Sequence, residues 1–173
     1  MMTTSEALSE LHADIDARVQ GIRDSHANWL CGKGCDSCCK HLAEVPQLTA
    51  AEWTLLRTGL AALPPERLTE IGREIAALAN SSPRPVICPL LDRTTGTCPV
   101  YLHRPVVCRT YGYYLQRDLG LFCRDIENLV AEGTLPDVVW GNHDVIDRRL
   151  AGLGQRRPLT DWFANWQLES RSV

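Results

Sequence analysis

Cys31-Gly32-Lys33-Gly34-Cys35-Asp36-Ser37-Cys38-Cys39 places four thiols within nine residues, and Cys88, Cys98, Cys108 and Cys123 bring the total to eight. Spacings this short, with two glycines letting the backbone turn tightly, allow several sulfurs to converge on one centre. Metal–thiolate bonds would offset the entropy of ordering such a segment. The chain is therefore expected to be mainly α, a small helix-rich single domain with irregular cysteine-rich loops and at most a short hairpin, organised around a metal centre.

At 173 residues and 45% apolar composition the chain supports one hydrophobic core of ordinary size. The expected division is a metal-binding lobe over 31–124, carrying a helical hairpin insert at 49–80, with 1–30 and 125–173 as helical packing segments. The apolar runs are too short to span a bilayer, and residues 1–20 carry charges throughout with no basic-then-apolar leader pattern. A cytoplasmic protein is expected. In a reducing compartment eight thiols stay free for metal rather than pairing as four disulfides.

The net charge of -3 argues against a nucleic-acid partner. Its distribution is uneven: residues 1–30 sum to -3, 42–83 to -2 and 125–173 to -3, whereas 31–41 sum to +1 and 84–124 to +4. Positive charge thus collects where the cysteines are. Lys33, Lys40, Arg93, Arg104, Arg109 and Arg124 would lower nearby thiol pKa values and offset a polythiolate centre, although the same charges also suit a solvated basic face.

Around this lobe the periodicity is helical. Leu8, Leu11, Ile15, Val19 and Ile22 form one stripe of a helix from about Ser5 to Arg23, opened by a Thr3/Glu6 capping box. Thr49 with Glu52 opens a second helix, Leu48 and Trp53 forming its hydrophobic staple, and Pro64-Pro65 stops it. Leu68, Ile71, Ile75 and Leu78 carry a third, ended by Asn80-Ser81-Ser82-Pro83. From Val86 to Cys98 a short apolar segment and a Gly-centred turn predict a hairpin or knuckle. Pro99 and Pro105 predict short helical turns, and three tyrosines lie between Cys108 and Cys123. Short helices are expected around Ile126–Val130, Asp144–Leu150 and Leu159–Leu168, with Trp162, Phe163 and Trp166 capping the core.

Cys31, Cys35 and Cys38 match C-x3-C-x2-C, the spacing by which radical S-adenosylmethionine enzymes hold a four-iron cluster. That reading is rejected, because Ser37 stands where that family places an aromatic residue and too few residues remain for its barrel. Cys38 and Cys39, as neighbours in an extended backbone, would point to opposite sides. One would face a metal with Cys31 and Cys35, the other a second metal, or another iron of one cluster, with ligands from the distant group. Two four-thiolate zinc sites, one iron–sulfur cluster with spare cysteines, and two clusters all remain open.

Cys35-Asp36-Ser37-Cys38-Cys39, Cys88-Pro89-Leu90-Leu91, Gly96-Thr97-Cys98 and Val100-Tyr101-Leu102-His103-Arg104-Pro105-Val106-Val107-Cys108-Arg109-Thr110-Tyr111 occur in that order. With these motifs the chain resembles the YkgJ-type CxxCxxCC cysteine-cluster family of zinc- or iron-chelating domains, with three residues rather than two between Cys31 and Cys35. Similar domains are labelled iron–sulfur oxidoreductases, and one accompanies the flagellin lysine methylases. The resemblance implies metal binding and no agreed reaction.

The expected metal ligands are Cys31, Cys35, Cys38, Cys39, Cys88, Cys98, Cys108 and Cys123. Arg104, Arg109 and Tyr111 are expected to line the cofactor, the arginines by charge-assisted hydrogen bonds to sulfur or an anion and Tyr111 by packing or bonding at its edge. His41 and His103 are weaker ligand candidates, and His143 lacks a neighbouring nucleophile, which makes a helix cap around Asn142 or Asp144 the better reading. No catalytic motif is identified. The expected function is electron transfer or redox sensing by an iron–sulfur cluster, 4Fe-4S favoured, with an unknown protein or redox partner. The alternative is a structural Zn2+-binding interaction module.

Overall fold

Two threonine–glutamate capping boxes start two of the long helices. The computed structural model describes residues 2–80 and 84–171, so the expected break at Ser81-Ser82-Pro83 lies outside the described residues. Helix α1 (Thr4–Ser25) begins where the Thr3 hydroxyl accepts from the Glu6 N–H at 3.2 Å and the Glu6 carboxylate accepts from the Thr3 N–H at 2.7 Å. Its stripe is buried at Leu8, Leu11, Ile15 and Ile22. A four-residue helix α2 (Ser37–Lys40) carries the adjacent cysteines, and strand β1 (Gln47–Leu48) leads into α3 (Ala50–Ala61), capped in the same manner by Thr49 and Glu52. After Pro64, α4 (Pro65–Asn80) opens on Pro65, where a missing N–H costs nothing.

The segment after Pro85 is a knuckle. An isolated bridge pairs Val86 with Leu42, and a second joins Asp92 to Thr97 across a turn in which the Asp92 carboxylate accepts from the N–H groups of Thr94 and Thr95. A 3-10 turn (Tyr101–His103) and α5 (Val106–Thr110) follow the two prolines. Strands β2 (Tyr114–Gln116) and β3 (Leu119–Leu121) form a hairpin, and β2 also pairs in parallel with β4 (Gly141–Asn142). Helix α6 (Arg124–Ala131) lies between them. Helix α7 (His143–Ala151) starts at Asn142, whose side chain accepts from the Asp144 and Val145 N–H groups. Strand β5 (Arg157–Pro158) pairs antiparallel with β1 and leads into α8 (Leu159–Arg171).

The apolar residues gather in two clusters. One joins α3, α4 and α8 to the knuckle: Trp53, Leu56, Leu60, Ile71, Ile75, Leu90, Leu91 and Phe163 are buried together. Trp53 stacks on Trp162 with centroids 6.2 Å apart, and the Trp162 indole donates to the Leu48 carbonyl at 3.0 Å. The other joins α1 to Val106, Tyr113, Tyr114 and α7. Helix α3 links them: its outer residues Ala51 and Leu55 pack on the second cluster, and the buried Glu52 carboxylate accepts from the Val106 N–H at 3.0 Å. No described helix is long and apolar enough to cross a membrane.

The knuckle stands where it is expected, and a hairpin of three-residue strands forms in addition over 114–121, its turn residues Arg117 and Asp118 taking positive φ values of 50° and 61° without a glycine to announce them. One expectation needs correction. Cys38 and Cys39 lie on a helix, where successive side chains are about 100° apart, so they do not point to opposite sides as neighbours in an extended backbone would.

Candidate metal centre

The first thiol group forms where the loop before α2 meets the ends of α5 and β3. Gly34, at φ +95°, turns the loop between Cys31 and Cys35. The Cys31 thiol donates to the Tyr111 carbonyl at 3.5 Å, and the Tyr113 hydroxyl donates to the Cys31 carbonyl at 2.6 Å. Burial pushes the Cys31 thiol up to about 12, and the charges of Cys38, Cys35 and Cys123 push the same way while Arg104 opposes them. Cys35 itself is exposed, whereas Cys31 and Cys123 are half-buried. The Tyr111 hydroxyl, also pushed up to about 12, feels burial first and then Cys38, Cys123 and Cys31, which places this ring beside the same group.

Across α2 lies the second group. The knuckle is anchored to α2 by the Cys88 N–H, which donates to the Cys39 carbonyl at 2.7 Å. Hydrogen bonding between the Cys38 and Cys39 thiols shifts both, and Cys88 shifts that of Cys39 likewise. The bond with Cys39 pushes Cys38 up, burial adds to it, and backbone N–H groups of α2 oppose. For Cys39 the bond from Cys38 pulls down, but the bond to Cys88, burial and the charges of Cys88 and Cys98 carry it up to about 12. Cys98 is raised by burial against a backbone N–H bond from Val100 and the charge of Arg104. Cys108 is raised by burial and by Cys38, Cys39 and Cys98, with Arg104 again opposing.

All eight cysteines are free thiols, and thiols carried by segments far apart in sequence act on one another's charge. Among the described residues no three His, Cys, Asp or Glu side chains converge at ligand geometry. The donor set fits a soft or borderline metal. Burial and neighbouring thiols make Cys31, Cys38, Cys39, Cys98 and Cys108 costly to ionise, and a cation among them would reverse that sign, with proton release on binding.

Arg104 is the basic residue that reaches both sets, opposing the shifts at Cys31, Cys98 and Cys108. Its guanidinium lies 3.4 Å from the Tyr101 ring centroid, donating through Nε to the Tyr101 carbonyl at 2.7 Å and through a terminal nitrogen to the Cys108 carbonyl at 3.5 Å. Arg109 is engaged around its fork: Nε donates to the Arg104 carbonyl, and the terminal nitrogens donate to the Leu102 carbonyl and to both Asp16 oxygens. Lys40 pairs with Asp36 at 2.6 Å and Arg93 stands 3.7 Å from Glu74. The histidines have other neighbours. His41 contacts the Ser37 carbonyl, His103 covers Gly59, His12 is buried on α1 and His143 lies 3.4 Å from Asp147.

Tyr113 and Gly112 belong to the first group and were not singled out above. A Cβ at Gly112 would stand 2.6 Å from the Cys31 sulfur, and Gly112 has φ +92°. Trp29 stacks on Tyr113 with centroids 5.8 Å apart. A glycine between tyrosines, four residues beyond Cys108, was the available signal.

The family model CxxCxxCC, described as "Putative zinc- or iron-chelating domain", matches residues 30–128, more than half of the chain and every cysteine in it. No curated protein and no solved structure matches.

Proposed function

The chain belongs to the CxxCxxCC family of zinc- or iron-chelating domains, and on that premise we propose that its thiolates hold an iron–sulfur cluster, 4Fe-4S in the first instance, for electron transfer or redox sensing. The observation that carries this reading is the donor set: eight free thiols, flanked by Tyr111 and Tyr113 and by the fixed charge of Arg104. An all-thiolate set suits iron–sulfur chemistry, and hydrogen bonds to sulfur together with burial are the levers a protein uses to tune cluster potential. When bound, such a cluster exchanges single electrons. The chain's own part is to hold and shield: the Val100 N–H and Arg104 favour the Cys98 thiolate, the tyrosines stand beside the thiols, and Arg104 offsets thiolate charge.

Structural zinc in an interaction module is the second reading. It is favoured by the way the thiols are rooted in two apolar clusters, which suits a staple between them. Anaerobic purification followed by ultraviolet–visible and paramagnetic resonance spectra, with assay of metal and acid-labile sulfide, separates the two. A coloured protein with iron and sulfide in comparable amounts is expected; a colourless protein with stoichiometric zinc and no sulfide overturns the iron reading and leaves the zinc one.

A further inference from the structure

We propose that the loop 32–35, together with Arg23, Tyr101 and Arg104, is the docking surface for an acidic face of another protein. For the kind of partner, a small electron-transfer protein, the inference rests on the cluster reading above. For the surface itself it rests on the placement of side chains.

Three cations meet at this loop. The Arg23 guanidinium lies over Gly32, its Nη2 2.8 Å from where a Cβ would stand, so the glycine leaves the guanidinium its seat. Next in the chain, Lys33 places its Nζ 5.9 Å from the centroid of the Tyr101 ring, and Arg104 places its guanidinium carbon 3.4 Å from the same centroid. One aromatic ring thus holds two cations. Among the described residues none of the three cations is paired with a carboxylate. The carboxylates nearest to them in sequence have other partners: Asp24 accepts from the Gln20 side chain at 2.6 Å, and Asp36 pairs with Lys40 at 2.6 Å.

Like charges gathered without counter-ions repel, and an anionic surface brought onto them relieves that repulsion. The thiolates answer for Arg104, which is half-buried and bonded to the Tyr101 and Cys108 carbonyls. Arg23 and Lys33 are exposed, and their charge is open to a partner. The surroundings favour a protein as that partner. Leu30, just before Cys31, is 49% exposed and Leu102, just after Tyr101, is 78% exposed. Apolar side chains set among Tyr and Arg are the composition of a protein interface. The chain's net charge of -3 opposes a phosphate backbone.

Such a surface suits a brief encounter. Charge steers the approach, and a contact of small area lets the partner leave. Cys35, an exposed thiol, lies within the loop that the partner covers.

The test uses the full chain, loaded with Zn2+ and, separately, reconstituted anaerobically with iron and sulfide. The probes are two acidic electron-transfer proteins, a plant-type 2Fe-2S ferredoxin and a flavodoxin. Calorimetric titration at low and high salt gives the affinity. Carbodiimide coupling of lysine to carboxylate, mapped by peptide mass spectrometry, gives the contact, since Lys33 and Lys40 are the chain's lysines. Salt-sensitive binding of at least one probe is expected, with a cross-link at Lys33. Lys33→Glu and Arg23→Glu should each weaken that binding about tenfold. Arg148→Glu, the same change of charge at an exposed position on α7, should leave it as it was. Binding of neither probe, a cross-link confined to Lys40, an equal loss with Arg148→Glu, or equal affinity for a single-stranded oligonucleotide overturns the docking surface. Failure of the cluster reading is seen separately: a colourless zinc protein that still cross-links at Lys33 keeps the surface and loses the electron-transfer role alone. Should a variant fail to fold, the cross-link map of the unaltered chain decides.

Discussion

At Gly112 the backbone comes so close to Cys31 that a single methyl group decides whether both fit. Its φ of +92° already disfavours any side chain, and an added Cβ would lie 2.6 Å from the sulfur. Gly112→Ala is expected to lower stability by about 1–3 kcal/mol and to displace Cys31. Thermal melting and metal content after desalting measure this, and an unchanged melt with full metal content contradicts it. The two capping boxes offer a second comparison. Thr3/Glu6 is exposed, so water replaces the lost bonds and Glu6→Ala is expected to cost little. Glu52 is buried and also accepts from the Val106 N–H, so Glu52→Ala strands buried donors and is expected to cost about 3 kcal/mol or more. Denaturant midpoints compare them, and equal losses would contradict the account. Both boxes are legible in the sequence because their partners are three residues apart. The bond to Val106, 54 residues away, is not.

Among the elements, α1 packs on α5, and His12 of α1 is buried. Burial holds His12 down at about 4, Arg109 and Arg104 push the same way, and Asp16 opposes. An unfolded histidine titrates near 6.5, so between that value and about 4 the unfolded chain binds the extra proton. The contribution of neutral His12 is fully present above pH 6.5 and is lost as pH falls toward 4. The dependence of unfolding free energy on pH should therefore be flatter over this window in His12→Leu than in the unaltered chain; identical profiles would contradict the burial argument. Helices α1, α3 and α4 are legible from apolar spacing because each runs for several turns with a cap or proline at an end. Helix α2 is not, since four residues carry no period. The 114–121 hairpin is equally hidden: its turn is Arg117-Asp118, without the Asn-Gly or Asp-Gly that marks positive φ. The β1–β5 and β2–β4 pairings join segments remote in sequence, and nothing local announces them.

For the molecule as a whole, two apolar clusters meet through α3, and the thiols lie where the knuckle, α2, α5 and the 114–121 hairpin come together. The presence of a metal-binding segment is legible from cysteine count and spacing alone. The neighbourhoods are not: that Cys88 joins Cys39 while Cys123 joins Cys31 depends on where the α3–α4 insert returns the chain. Nor does charge counting reveal that Arg104, of all the basic residues nearby, is the one felt on both sides of α2. Thiolate coordination makes metal affinity part of folding free energy, so stripping the metal should lower the melting temperature of the entire chain. The most direct measurement is X-ray absorption at the metal edge of the protein as isolated under anaerobic conditions. The account predicts a first shell of sulfur alone, with iron scatterers beyond it; a shell dominated by nitrogen or oxygen, or a chain without stoichiometric metal, would contradict it.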